Sequence, residues 1–233
     1  MEQGEQISES ELETQRIYVG GAQRKSLTIA QSYDRIQTSK QAEESAALPT
    51  YTIIAGVNGV GKSSLTGVLK AVLSDLWYVV DVDKLAVEYK CSSMVAGKTA
   101  LRRIDECLVK GYTFSQETTL VGCRTEKTIK IAKEKGYLIR LFYIGLNTQE
   151  ECVKRIENRV KKGGHNIHTD DVSRRHNRRF DALITILPYF DEVHLFDNEN
   201  GFTEVGEYKN GEIAAKGDYK PAWFQELISR MHR

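Results

Sequence analysis

Cysteine is scarce in these 233 residues, and the four present (Cys91, Cys107, Cys123, Cys152) are widely spaced with no C-x-x-C pair. That spacing argues against a disulfide framework or a zinc cluster and fits a reducing cytoplasm. An excess of charge is missing too. Lysine and arginine number 33 and aspartate and glutamate 32, for a formal net charge of +1. No overall field therefore selects nucleic acid or a membrane surface as partner. No apolar run approaches the roughly 18 residues of a spanning helix. The opening "MEQGEQISESELE" has five acidic residues and no basic one, unlike a secretory signal. No internal repeat is visible. What is present is ordinary globular composition, 40% hydrophobic and 28% charged, in a chain long enough for one sizeable core with an appendage.

Two regions differ in character. Residues 1–48 are polar. Ser10 and Glu13 stand at capping-box spacing, and a further helical stretch ends at Pro49. This segment is read as an N-terminal, helical extension. The remainder, 49–233, alternates strand and helix signals. "YTIIAG", "WYVVDVDKLA", "YTFSQETTL", "YLIRLFYIGL" and "DEVHLFDN" read as strands. Between them lie helical patterns, including a long one over "TDDVSRRHNRRFDALITILPYF", and "TEVGEYKNGEIA" reads as a hairpin about its "KNG" turn. This alternation predicts an α/β fold: a mostly parallel sheet with helices on both faces.

The most informative stretch is "IIAGVNGVGKSSL". Gly56, four residues, then Gly61, Lys62 and Ser63 complete a G-x-x-x-x-G-K-S/T motif between a predicted strand and a predicted helix, the context the motif needs. Its glycines let backbone N–H groups turn inward around phosphates, and the helix N-terminus adds a positive dipole. The cradle runs through Gly56, Asn58, Gly59, Val60, Gly61, Lys62, Ser63 and Ser64. Lys62 reaches the β- and γ-phosphates of ATP, and the Ser63 hydroxyl is the candidate Mg²⁺ ligand.

Acids follow at predicted strand ends, where ligands sit in open parallel sheets. Asp81 and Asp83 end the second strand, and period-two alternation puts both on one rim. One can take a proton from an acceptor hydroxyl while the other orients a Mg²⁺-bound water; solvated acids or helix caps are the alternative. Glu117 ends the third strand and is expected in the cleft. Thr118 and Thr119 follow it, either holding a polar substrate or capping the turn. Residues 154–179 then carry nine basic and three acidic side chains. Arg155 and Arg159 share one helical face, as do Arg174 with Arg178 and Arg175 with Arg179. With the glycines of "KKGGHNIHTDD" between the two helices, this reads as a mobile lid that supplies arginines to a transferring phosphoryl group. Few aromatics are interleaved, which argues against nucleic acid. His165 is a candidate polar lid contact.

In series, "IIAGVNGVGKSSL", "VDVDKLA", "FSQETTLVG", "LIRLFYIGL" with "RIENRVKKGGHNI", and "VSRRHNRRF" with "LFDNENG" resemble the zeta-toxin family of P-loop kinases, in its compact branch. Val57, His168 and His176 depart from that branch's usual residues. The resemblance implies phosphorylation of the amino sugar's 3′-hydroxyl in UDP-N-acetylglucosamine or a related UDP-sugar, by the toxin of a toxin–antitoxin pair. It implies Asp83 as the base on that hydroxyl, Glu117 and Thr118 on the substrate side, and Arg155 near the phosphates. Arg174 or Arg175 takes the transition-state role, and Asn198 lies near the adenine. It also implies an antitoxin, whose part the acidic residues 1–48 can play in cis. A kinase of another small acceptor (nucleotide, sugar or antibiotic) and a non-catalytic ATP-binding switch remain as alternatives.

Overall fold

The computed structural model describes residues 48–76, 78–164 and 166–232. The expected N-terminal extension, but for Leu48, therefore lies outside the described residues, as does His165.

Among the described residues, seven strands form one sheet: β1 (Thr50–Ala55), β2 (Val79–Val80), β3 (Phe114–Thr118), β4 (Leu138–Gly145), β5 (Glu192–Asp197), β6 (Thr203–Lys209) and β7 (Glu212–Ala215). Their order is β2-β3-β1-β4-β5-β6-β7. The first five in this order are parallel, and β6 and β7 add an antiparallel margin. The mostly parallel sheet expected from the alternation is present. The β6–β7 hairpin turns on Asn210 (φ 54°) and Gly211 (φ 88°), the left-handed pair that a two-residue hairpin needs.

Every residue of β1 is buried and β4 is buried almost throughout, because both faces of the sheet are covered. Alternation sorts their side chains. Tyr51, Ile53, Leu141 and Tyr143 join one apolar cluster with α3 (Ser93–Lys110), α4 (Cys123–Glu134), α7 (Arg179–Ile186) and α8 (Ala222–Met231). Ile54, Phe142 and Ile144 join another with α1 (Lys62–Val72), α5 (Gln149–Lys161) and α6 (Thr169–Asn177).

Two expectations are corrected. The second strand is only two residues long and stops before the acids. Asp81 is extended and N-caps α2 (Val82–Glu88), its Oδ1 accepting from the N–H of Asp83 (2.9 Å) and Lys84 (3.2 Å). A carboxylate at this position satisfies donors that a strand end would leave to water, and the cap starts a helix there. The long helix of the arginine stretch is also two helices. Arg178 adopts φ −95°, ψ 0°, ending α6 and starting α7, and a 3₁₀ turn (Leu187–Tyr189) follows through Pro188.

Candidate active site

β1 runs directly into residues 56–61 and α1. Gly56, Gly59 and Gly61 have φ of 143°, 87° and 99°, a region costly for any other residue. Each also admits a close neighbour. A Cβ on Gly56 would stand 2.4 Å from the Ile144 carbonyl oxygen, one on Gly59 2.4 Å from that of Cys152, and one on Gly61 2.5 Å from Asn198 Nδ2. The loop is thus wedged between the end of β4, helix α5 and the β5–β6 connection. Gly61 caps α1 with no side-chain hydrogen bond, and the first turn of α1 carries no acid. Its N–H donors and its dipole are left for an external anion, which is the fit a nucleotide phosphate requires.

Lys62 folds back over this loop, its Nζ donating to the carbonyls of Gly56 (2.9 Å) and Val57 (3.1 Å). Burial holds its pKa below the ordinary lysine value, and the charges of Glu117, Asp83 and Asp81 oppose that. Glu117, from the end of β3, is buried and accepts from Ser63 Oγ and Thr66 Oγ1, each at 2.8 Å. Burial and then Asp81 raise its pKa; the two hydroxyls and Lys62 pull it down. Ser63 with this carboxylate offers the hard oxygen donors that Mg²⁺ takes alongside phosphate oxygens. Among the described residues, no cluster of three or more His, Cys, Asp or Glu could hold a metal by itself.

These groups open into one cavity of about 710 Å³. Lys62, Ser63 and Ser64 line one side, Asp81, Asp83 and Glu117 a second, and Arg155, Arg159, Arg175, Asp171 and His168 the lid side. Asn58, Gly59, Gly61, Thr118 and Thr119 also line it. Thr118 caps the turn, its Oγ1 accepting from the Leu120 N–H (3.1 Å), and the residue also lines the cavity. Gly56 and Val60 lie behind the cavity wall, with Val60 fully buried.

The lid arginines divide sharply. Arg175 Nη1 donates to Asn58 Oδ1 at 2.6 Å, joining α6 to the phosphate loop. Arg155 bonds the Asn198 carbonyl at 2.7 Å and Glu151 Oε1 at 2.9 Å. Arg174 instead pairs with Asp171 at 2.6 Å, is 59% exposed, and does not line the cavity. Of Arg174 and Arg175, the one facing the site is therefore Arg175. Asn198 is likewise outside the cavity wall, and its amide donates to the Val60 carbonyl at 2.8 Å. The polar liners missed as site residues include Ser93, Gln116, Asn166 and Asp171. Gln116 was the findable one, because it sits one residue before Glu117 on a strand already assigned to the rim.

No protein-family model matches the chain. An uncharacterized protein of Haemophilus influenzae is 33% identical over 126 residues, covering 52% of this chain and 88% of that protein. A solved chain of the PezAT chromosomal toxin–antitoxin system of Streptococcus pneumoniae superposes with a TM-score of 0.53 at 18% identity, over 87% of this chain and 93% of that one. A chain of the AvrRxo1-ORF1:-ORF2 complex crystallised with ATP gives 0.58 at 15% identity, over 87% and 70%. The same complex with sulphate ions gives 0.57 at 17%, over 86% and 71%. At such identities the solved structures speak for the fold. The chain belongs to one family with the Haemophilus influenzae protein, and its fold is that of the zeta-toxin-like P-loop kinases.

Proposed function

We propose that the protein is a Mg²⁺-ATP-dependent kinase of a small hydroxyl-bearing acceptor, of the zeta-toxin type, with UDP-N-acetylglucosamine or a related UDP-sugar as acceptor. The observation that carries this reading is one cavity that joins Lys62 and Ser63 to the carboxylate Asp83 and to Arg155 and Arg175. A binding switch needs the first pair; a group transfer needs all of them.

In this mechanism Lys62 leaves the Gly56 and Val57 carbonyls for the β- and γ-phosphates. The N–H groups of residues 59–63 hold the phosphate chain in place. Ser63 and Glu117 are the residues to hold Mg²⁺, whose chemistry is to neutralise charge on the phosphate oxygens. Arg175 and Arg155 spread the charge that develops on the transferring group. Asp83, in the first turn of α2, orients the acceptor hydroxyl and takes its proton. Asp81 fixes that turn by capping it. Glu117, placed on the hydroxyls of α1, acts on the nucleotide side of the cleft, and Thr118 and Thr119 remain the acceptor-side candidates.

The complexes found among the structural neighbours support a protein partner, and we read that partner as an antitoxin. Residues 1–48 are the intramolecular candidate for the same task, their acids complementing the basic lid. Deleting residues 2–45 raises activity on that reading, and unchanged activity removes it.

The test is incubation with Mg²⁺-ATP and UDP-N-acetylglucosamine, with mass spectrometry for a product heavier by one phosphate and Asp83→Asn alongside. Product that disappears in the variant supports kinase and base together. Product that persists in Asp83→Asn overturns the role of Asp83. ATP binding with no product from any acceptor in a panel of nucleotides, sugars and antibiotics favours the switch.

A further inference from the structure

No residue of the β5–β6 connection lines the cavity, yet three parts of the site converge on one of its residues. The Asn198 side-chain amide donates to the Val60 carbonyl of the phosphate loop at 2.8 Å. Its own carbonyl accepts Arg155 Nη2 at 2.7 Å, and the next carbonyl, Glu199, takes the same nitrogen at 3.3 Å. Its N–H donates to the Gly145 carbonyl at the end of β4, 3.3 Å away. The amide also occupies the space that any side chain on Gly61 would need. One residue thereby fixes a loop carbonyl and an arginine against the same strand end.

The connection is itself held rigidly. Asp197, 1% exposed, accepts Trp223 Nε1 on Oδ1 (2.8 Å), and the Glu199 N–H (2.9 Å) and Tyr219 hydroxyl (3.2 Å) on Oδ2. Trp223 belongs to α8, and its indole covers Gly145 so closely that a Cβ there would come within 2.3 Å. Asn147 ties the same group together, its Oδ1 accepting from the Trp223 N–H (3.1 Å) and its Nδ2 donating to Glu199 Oε2 (2.9 Å). A buried carboxylate with three donors defines one geometry and resists others.

We propose that Asn198 is a positioning residue that sets the phosphate loop and Arg155 in a common register, with Asp197 and Trp223 as its anchor. This differs from a contact to the adenine, the role that resemblance suggested. It rests on the ATP-binding reading above.

The amide can be separated from mere packing. Asn198→Asp keeps the side chain's size but turns the donor into an acceptor facing the Val60 carbonyl. Asn198→Ala removes the donor without adding repulsion. Affinity is measured by titrating each full-length protein into a fluorescent N-methylanthraniloyl-ATP with Mg²⁺. Asn198→Ala weakens binding about 5-fold and Asn198→Asp about 10-fold or more, the scale of one hydrogen bond lost and then opposed. Their melting temperatures stay within a few degrees of wild type, since Asn198 is partly exposed. Arg155→Ala also weakens binding, and Asn198→Asp/Arg155→Ala loses less than the product of the single effects. A packing role reverses the order, with Ala worse than the isosteric Asp, and overturns the proposal. So does wild-type affinity in Asn198→Asp, or single effects that multiply; in both cases the kinase reading stands. Wild-type protein that binds no nucleotide overturns both.

Discussion

Arg140 and Lys62 sit at opposite ends of the parallel strands, and each is a cation among carboxylates. At the lower end Arg140 is 1% exposed and donates to Glu192 at 2.6 Å and to Asp75 at 3.1 and 3.2 Å. Its partners come from the loop after α1 and the start of β5, and charge there is matched by charge across packed elements. At the upper end Lys62 bonds carbonyls of its own loop, while Glu117 accepts hydroxyls and Asp83 lines a cavity. There the opposite charges face a space and one another at longer range, with Lys84 3.9 Å from Glu117. Matched charge holds a sheet together, whereas charge turned toward a cavity is arranged for something that enters it.

The comparison breaks most visibly at Asp83. Asp83→Asn lowers turnover by about 10²–10⁴-fold, the range for losing a general base, with an unchanged melting temperature. Thermal unfolding alongside steady-state assays checks both halves. The next effect concerns His176, a buried group at the break between α6 and α7. Burial and then Arg179 pull its pKa from 6.5 to about 4. The folded state thus holds fewer protons, so the stability it contributes is present above pH 6.5 and is lost as pH falls toward 4. The loss totals about 3 kcal/mol at the acid extreme. Urea titrations of wild type and His176→Gln across that window diverge accordingly; parallel curves refute the shift. Lys62→Ala comes third, weakening nucleotide binding by up to about 100-fold while leaving stability nearly unchanged. Arg140→Leu does the reverse, costing about 2 kcal/mol of stability because Asp75 and Glu192 lose their cation, and sparing nucleotide affinity. If Arg140→Leu abolishes binding before unfolding, the two ends are not separable. The smallest contrast is within the lid. Arg175→Ala slows turnover about tenfold, and Arg174→Ala, which removes an exposed side chain outside the cavity, changes it less than twofold.

The strand–helix alternation was legible because β1 and β4 are largely apolar between turn signals, with only two threonines and Arg140 interrupting them, and the phosphate loop because its glycines obey a fixed spacing. Asp81 was misassigned for a physical reason: an extended residue that caps a helix looks, in sequence, like the last residue of a strand. Pairing Arg175 with Arg179 assumed one straight helix. The break at Arg178 sends Arg179 instead into a buried contact with His176 and Glu226, at 2.9 and 3.1 Å. The choice between Arg174 and Arg175 was illegible because it depends on a hydrogen bond to Asn58, 117 residues away in the chain. Likewise, glycine in the phosphate loop reads as freedom to turn; that it also makes room for Ile144, Cys152 and Asn198 depends on elements the motif does not contain.

The sheet order has a consequence for how the protein is made. Among the described strands β1 emerges first, yet it lies between β3 and β4, with Thr50 opposite Leu138 and Tyr51 opposite Phe114. Its backbone donors and its phosphate loop wait, on the order of ten seconds of translation, for the strands that flank them. Asn198 and Trp223 arrive later still. A ribosome-bound chain therefore carries the complete phosphate-loop motif long before it can hold that loop in shape, and the supports of the loop are complete only once α8 has been synthesised.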